Sequence, residues 1–529
     1  RPVLQTGLGF GVIGIGWLIV GSTLGFRVSI AVLYLFTLLA FFHRRLPLIA
    51  QDLVGFLKLW KTSRFGGHLL AVMTAIICFA TLAMAIAPPQ KFDALVYHLT
   101  LPQRYIQAGR MIYLPDLAFW GMPQIGEMLY TGALLLGGLP AAAILGWLFG
   151  VLALGGIFAW LSERLTPSAG WAGIAALLSG FTLADSLAWS YVDWLAILFG
   201  FCVLAVIEQY GMATTALHSK RTLILAGVFT GFALGTKYTA GVILLGGGFS
   251  LLWGTWKKGE QRQIARALFI FGVSALAASL PWWIKNAIAT GNPLYPFFFP
   301  SGAMNSLRQH FYQGGKAWGN WLDVFLLPVR ATVIGTEAAP GYSASIGPLL
   351  LGLLPAAWFG WKASDPAYRR LVSLAASLAV PGVLIWMLLG RFSAYLLQSR
   401  IYFVLFPALA VLAAAGWRQI SRVRIGSVRF RRLAGALVVL VMGLTSVEVG
   451  VHVIRAGAIS YLVGEMTPAE YLSMNLGWFA PAMQKVHDLP HGSKVLMLWE
   501  PRSLYCVPVC TPDELLDRWL RDWTAEQNG

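Results

Sequence analysis

The chain has 529 residues, of which 57% are hydrophobic and only 12% charged, with a formal net charge of +17 and a mean hydropathy of +0.68. That composition excludes a soluble domain, and repeated apolar runs of about twenty residues indicate an all-α polytopic membrane protein, because lipid accepts only helices or closed barrels and no strand-like alternation supports a barrel. Four cysteines are too few for a disulfide scaffold, and the positive charge says nothing of a partner until its location is known.

Arg1 in place of a methionine, with no signal-peptide cleavage pattern after it, implies that a few residues precede the sequence. In chain order, thirteen spans are predicted: 7–25, 28–42, 67–87, 139–160, 170–184, 190–209, 222–237, 240–256, 266–284, 344–361, 371–390, 400–416 and 434–454. In the first, the glycines of GLGFGVIGIG read as helix-packing positions, since no strand precedes them as a nucleotide fingerprint would require. Cys78 and Cys202 fall in apolar helices and read as inert buried thiols.

With a cytoplasmic N-terminus, six inner loops, from HRRLPLIAQDLVGFLKLWKTSRFGG to WRQISRVRIGSVRFRR, carry 21 of the 39 lysines and arginines. The long segments 88–138, 285–343 and 456–529 then face outward with few positive charges. The basic excess is therefore a topology signal, and nucleic-acid binding has no motif to support it. Two units follow: a membrane domain over 1–455 with external loops 88–138 and 285–343, and an external tail over 456–529. The localisation that follows is a multi-pass protein of the plasma (inner) membrane, with loops and tail on the external or periplasmic side.

Loop 88–138 opens on KFDALVYHLTLPQRYIQAG, where Phe92 to Leu101 predicts a short helix and Pro102 opens a second one ending at Gly109. Asp93 and Tyr97 share a face on the first helix, whereas His98 points away and needs another partner. Glu127 lies further along the same loop, which also carries Asp116 and several interfacial aromatics. Each acid beside a span is by default a solvated helix-end charge; what raises Asp93 is its company. Asp193 starts a later span from the outer side, after Asp185; Lys237 sits in an outer turn beside Gly235 and Thr236; Arg391 and Arg400 bracket the turn RFSAYLLQSRIYF. Snorkelling explains any one of these cations alone, but together the groups suggest an outer pocket that holds an anion and moves a proton.

Loop 285–343 begins KNAIATGNPLYPFFFP, whose prolines forbid a continuous helix and predict an amphipathic or re-entrant cover along the membrane surface. In the tail, Lys494 to Trp499 predicts a strand and Thr511 a helix start with Pro512 at its first position. Cys506 and Cys510 are read either as a disulfide or as two thiols, the close spacing around a proline being awkward for a bridge.

The stretches FDALVYHLTLPQRYIQAG, PQIGEMLY, GTKYTA, GNPLYPFFFP and VLMLWEPRSLYC, with an acid just after a span in a large external loop and Asp193 in a Y-x-D setting, resemble the GT-C superfamily of integral membrane glycosyltransferases. The similarity is strongest to the branch holding protein O-mannosyltransferases and lipid A aminoarabinose transferases. It implies inverting transfer of a sugar from a polyprenyl-phosphate donor to an acceptor hydroxyl, the acceptor being a lipid, glycan or protein. Asp93 would be general base, Asp193 would orient donor or acceptor, and Lys237 with one or both of Arg391 and Arg400 would neutralise the leaving phosphate, while Tyr97, His98 and Glu127 would bind substrate. Ala94 stands where many relatives carry a second acid, so no metal site is assigned and a divalent cation is unsupported. Two spans also precede the helix that normally comes first. The rival readings are a flippase or transporter of lipid-linked substrates and a structural subunit of a membrane complex; the clustering of charged candidates at one face favours a surface reaction.

Overall fold

The computed structural model describes residues 2–43, 65–212, 215–257, 259, 261–313, 319–335, 346–425 and 428–528. The helices of the bundle are α1 (Pro2–Thr23), α2 (Val28–Phe42), α3 (Phe65–Ile86), α4 (Thr100–Ala108), α5 (Ile125–Arg164), α6 (Pro167–Leu178), α7 (Phe181–Asp185), α8 (Asp193–Gly211), α9 (Ala216–Leu234), α10 (Val242–Lys257), α11 (Ile264–Thr290), α12 (Ser306–Gln313), α13 (Trp321–Ile334), α14 (Pro348–Leu353), α15 (Pro366–Phe392), α16 (Phe406–Ile420) and α17 (Phe430–Arg455). The tail adds α18 (Ala458–Leu462), α19 (Pro468–Leu476), α20 (Phe479–His487) and α21 (Arg518–Asn528). The only sheets among the described residues are two pairs of two-residue strands, β1 (Arg424–Ile425) with β2 (Val428–Arg429) and β3 (Val495–Leu496) with β4 (Cys510–Thr511). The protein is thus an all-α polytopic membrane protein, as its composition requires.

The count of thirteen spans is not reproduced. Among the described residues nine helices are long and apolar enough to cross a membrane, ten if α6 and the bent segment after it act as one. Of the remaining predicted spans, α2 has 15 residues and α14 has 6, and α9 carries His218, Lys220 and Arg221 in its opening turns. The predicted span 170–184 breaks after Leu178, where the chain turns by 95°. The basic inner loop before α3 falls largely outside the described residues.

Helix ends follow local chemistry. Thr166 caps α6 and Asp365 caps α15 with side-chain acceptors, each followed by a proline at the first helical position. Gly109 and Gly291 end α4 and α11 in the left-handed region at φ 68° and 75°. The glycines of α1 are packing positions: Gly7, Gly11 and Gly14 face Cys202 and Phe229, Phe232, and Ile125 in turn. This first helix therefore lies against α5, α8 and α9, and the α1–α2 corner is tied to the first loop by Phe26 N–H donating to Gly109 O and Met111 N–H to Gly21 O.

Two expectations are corrected here. Residues 125–136, placed in the external loop by sequence, form the buried first half of α5, which breaks at Gly137 and Gly138 ahead of Pro140. Glu127 and the flanking glycines hid that helix from a hydropathy window. The segment after residue 284 does not leave the helix at once either: α11 continues to Thr290 and only then turns. Beyond it α13 exposes Trp321, Leu322, Phe325 and Val333 and buries Val324, Leu327 and Ala331.

The tail packs back on the first loop. Tyr505 donates its hydroxyl to Pro89 O at 2.6 Å, Ser503 and Leu504 N–H both donate to Leu95 O, and the Arg308 guanidinium forms a buried ion pair with Asp517 at 2.5 Å. The predicted helix start at Thr511 is shifted to Arg518: Asp513 accepts locally from Asp517 and Arg518 N–H just ahead of the helix and also from Trp499 N–H, while Glu514 is drawn to the first loop, where it accepts from Phe119 N–H. Cys506 and Cys510 are joined in a disulfide.

Candidate active site

Asp93 lies just beyond the end of α3, in a turn that is wound more loosely than an α-helix. Residues Ala94–His98 form one i→i+5 turn, with Leu99 N–H donating to Ala94 O at 3.1 Å. Such widened turns open carbonyls to other partners and often accompany functional sites. Here Leu95 O accepts from the Thr100 hydroxyl at 2.7 Å as well as from the tail. The wider turn also stretches the expected Asp93–Tyr97 pair: the Tyr97 hydroxyl stands 3.5 Å from Asp93 Oδ2.

The strong partner of Asp93 is a residue 307 positions away. Arg400 Nη2 donates to Asp93 Oδ2 at 2.6 Å, its Nη1 lies 3.7 Å from Asp193 Oδ2, and Asp193 Oδ1 accepts from Lys237 Nζ at 2.8 Å. Four sequence-predicted residues from four separate segments thus form one chain of alternating charge. Asp193 starts α8, where a negative charge suits the helix N-terminus, and Lys237 occupies the extended residue between α9 and α10, which Gly235 O anchors by accepting from Ile125 N–H at 2.9 Å. Arg400 comes from the short 3-10 segment Ser399–Leu405 that leads into α16. Burial alone would raise the Asp93 carboxyl, but the Arg400 charge and hydrogen bond, with His98 and Lys237 behind them, outweigh it and hold the group below the usual carboxylate range. Burial and the nearby Asp93 charge push the Tyr97 phenol well above its ordinary value.

His98 finds its partner in Glu127, with Nδ1 2.6 Å from Oε1 and both side chains buried. Aromatic rings connect this pair to the charged chain. His98 lies 4.1 Å from the Tyr97 ring and 5.2 Å from that of Tyr191; the Tyr191 hydroxyl accepts from Asp93 N–H, and Arg400 stands 5.2 Å over the Tyr191 ring. Arg391 is not part of the cluster. It sits at the end of α15 over Trp321 at 5.9 Å, so the turn it was expected to share with Arg400 separates the two.

Sequence reasoning missed Tyr191 and Lys285. The Lys285 ammonium donates to Trp120 O at 2.5 Å and lies 3.8 Å over the Trp120 ring, while Asn286 donates to Gly121 O at 2.7 Å, so the last turns of α11 clamp the turn Ala118–Gly121. Lys285 ends the apolar run WWIKN, and the rule that singled out Lys237, a cation at the end of a span, applied to it equally. Tyr191 is the tyrosine of the Y-x-D setting around Asp193, in which only the aspartate was given a role.

Four buried polar atoms in this cluster have no hydrogen-bond partner among the described residues: His98 Nε2, Glu127 Oε2, Asp193 Oδ2 and Arg400 Nη1. A buried polar atom left without any partner costs about 1–3 kcal/mol; Arg400 Nη1 and Asp193 Oδ2 still face each other as an ion pair at 3.7 Å, whereas His98 Nε2 and Glu127 Oε2 have neither. Among the described residues no group of histidine, cysteine, aspartate and glutamate side chains is arranged to hold a metal ion.

Residues 140–304 match a family model described as a domain of unknown function, DUF8201. No curated protein sequence matches the chain. Among solved structures, it is similar to ArnT from Cupriavidus metallidurans bound to undecaprenyl phosphate, at 14% identity and TM-score 0.54 over 84% of each chain. The apo state of the same protein gives 15% identity and TM-score 0.51 over 83% of each chain. The archaeal oligosaccharyltransferase AglB from Archaeoglobus fulgidus is more distant, at 12% identity and TM-score 0.45 over 86% of this chain and 65% of that one. The chain therefore shares the membrane fold of ArnT.

Proposed function

We propose that the protein is a membrane glycosyltransferase that moves a sugar from a polyprenyl-phosphate donor to an acceptor hydroxyl, with inversion, at the external face of the membrane. The observation that carries the reading is the chain Asp93–Arg400–Asp193–Lys237 with its unpaired buried atoms, at one end of a fold shared with a protein crystallised with undecaprenyl phosphate.

The chemistry follows from the charges. Arg400 and Lys237 are each shared with a carboxylate, so the resting site is neutral, and an incoming phosphate competes with Asp93 and Asp193 for them. Once Arg400 turns towards the phosphate, Asp93 loses the charge that depresses its basicity and becomes a stronger base as the donor arrives. The acceptor oxygen attacks the anomeric carbon, its proton passes to Asp93, and the carbon–oxygen bond to the phosphate breaks from the opposite side. The charge that grows on the leaving phosphate is balanced by Arg400 and Lys237, held by a preorganised frame. Asp193 keeps both cations in reach. His98 with Glu127, and the Tyr97 and Tyr191 rings, supply donors, acceptors and a stacking surface for a sugar.

The external side is supported by the charge distribution: Arg164, Lys257, Arg369 and Arg370 lie at helix ends away from Asp93, as inner-face residues should. The plasma membrane and a separate tail unit over 456–529 belong to the same proposal. The test is transfer from a panel of radiolabelled polyprenyl-phosphate sugars by the purified protein in lipid, wild type against Asp93→Asn. Transfer lost in a variant that still binds donor supports the reading; no transfer and no donor binding by wild type across the panel overturns it.

A further inference from the structure

A cavity of about 600 Å³ opens at the end of the bundle away from Asp93, between the last turns of α8 and α10 and the first turns of α15. Asp193 and Glu208 stand at opposite ends of α8, fifteen residues apart, or about 22 Å at 1.5 Å per residue, so this space is separate from the charged chain. Its mouth carries Lys257, Arg369 and Arg370. None of the three has a carboxylate partner among the described residues, whereas the acid at the rim, Glu208, is already taken by Arg164 at 2.5 Å. Trp253 and Trp361 flank the mouth, and the Lys257 ammonium lies 4.7 Å over the Trp253 ring.

The interior is apolar. Leu251, Leu371 and Leu374 line it down to Ser250 and Ser377, whose hydroxyls bond to each other at 2.9 Å across the α10–α15 contact. Ser250 is seven residues from Lys257, and Ser377 seven from Arg370, so the space runs about 10 Å along the helices from its cationic mouth. A soluble anion needs only the mouth. A cationic rim with interfacial tryptophans above an apolar shaft, lying within membrane-spanning helices, matches a phosphate headgroup with the upper part of an acyl chain beneath it.

We infer that this cavity is a binding site for one anionic glycerophospholipid, its phosphate held by Arg369, Arg370 and Lys257 and one acyl chain lying between α8, α10 and α15. The site does not depend on the glycosyltransferase reading. It is tested on the delipidated full chain by native mass spectrometry with titrated phosphatidylglycerol, phosphatidylcholine or inorganic phosphate. One phosphatidylglycerol is expected to be retained at least about tenfold more tightly than phosphatidylcholine, a difference that inorganic phosphate at millimolar concentration does not abolish. The double variant Arg369→Gln, Arg370→Gln is expected to lose that preference, and Arg369→Lys, Arg370→Lys to keep it. Leu374→Trp, which fills the shaft, is expected to lose lipid retention while the thermal midpoint in detergent stays near wild type. Equal retention of the two lipids overturns the inference in favour of a plain apolar crevice, displacement by inorganic phosphate overturns it in favour of a soluble-anion site, and unchanged retention in the glutamine and tryptophan variants overturns it altogether.

Discussion

In the proposed reaction Asp93 carries the most weight of any single residue, and its environment allows a substitution there to be tested for chemistry apart from folding. Its carboxylate accepts one strong bond from Arg400 and a weak one from Tyr97, and asparagine preserves the acceptor while removing the charge. Asp93→Asn is expected to lower transfer by about two to four orders of magnitude, the range for a lost general base, with polyprenyl-phosphate binding retained or tightened because Arg400 is released. Transfer assays and donor binding on the same preparation check both halves. Glu514 offers a different experiment. Burial raises its carboxyl to about 8 from an ordinary 4.5, against the opposing bond from Phe119 N–H. A folded value above the unfolded one means that its contribution is fully present below about 4.5 and is lost as pH rises through about 8. Docking of the tail on the first loop is therefore expected to loosen progressively from about pH 4.5 to about pH 8 and to change no further above it, read by hydrogen exchange over residues 500–528, and Glu514→Gln is expected to flatten that dependence.

At the scale of elements, the two N-terminal helices acquire a role that the resemblance left without explanation. α1 fills a groove beside α5, α8 and α9 through its glycines, and the corner after it hydrogen-bonds with the end of α4, the helix that follows the Asp93 turn. The corner residue Gly25 has φ 87° and its position for a Cβ lies 2.5 Å from Gly109 O. Gly25→Val is thus strained twice, by conformation and by contact, and is expected to cost about 1–3 kcal/mol from the first alone. A lowered thermal midpoint together with faster exchange in residues 100–112 is the expected signature; a lowered midpoint without local exchange at the first loop contradicts the proposed coupling. The Asp93 turn itself shows where sequence reading reached its limit. Its helical character and its stop at Gly109 were legible from Pro102 and the glycine, but the i→i+5 winding was not, because it depends on Leu95 O being taken by the Thr100 hydroxyl and by a tail some 400 residues further on.

For the whole molecule, the tail is the element that closes the structure around the first loop. Its contacts with Pro89, Leu95 and Phe119 and the buried Arg308–Asp517 pair fix loop 88–138, the segment after α11 and the tail to one another at one end. Breaking a buried pair by removing one partner costs about 3–5 kcal/mol, since the other charge stays buried and uncompensated. Asp517→Ala is therefore expected to detach the tail, seen as protease sensitivity after residue 490. If the tail supports the Asp93 turn, transfer falls in this variant although no substrate-binding group is altered. A double variant, Arg308→Met with Asp517→Leu, which removes both charges, is expected to recover most of the loss.

The sequence by itself determined the class of the molecule, the pairing of first loop and tail on one face, and the identity of most of the charged cluster. Hydropathy, the cost of ionisable groups near lipid and the distribution of basic loops act locally and can be read locally. Its thirteen spans are not reproduced among the described residues, because an apolar run does not tell where a helix stops: α2 has only 15 residues and the predicted span 170–184 bends after Leu178. Only the tertiary structure decided which charges meet. Asp93 looked paired with Tyr97 four residues away, and Arg391 looked equivalent to Arg400, until packing brought Arg400 from the segment before α16 between two aspartates and left Arg391 beside Trp321. The reason is that Coulomb energy depends on distance in space and on local burial, and neither quantity is encoded in the spacing along the chain.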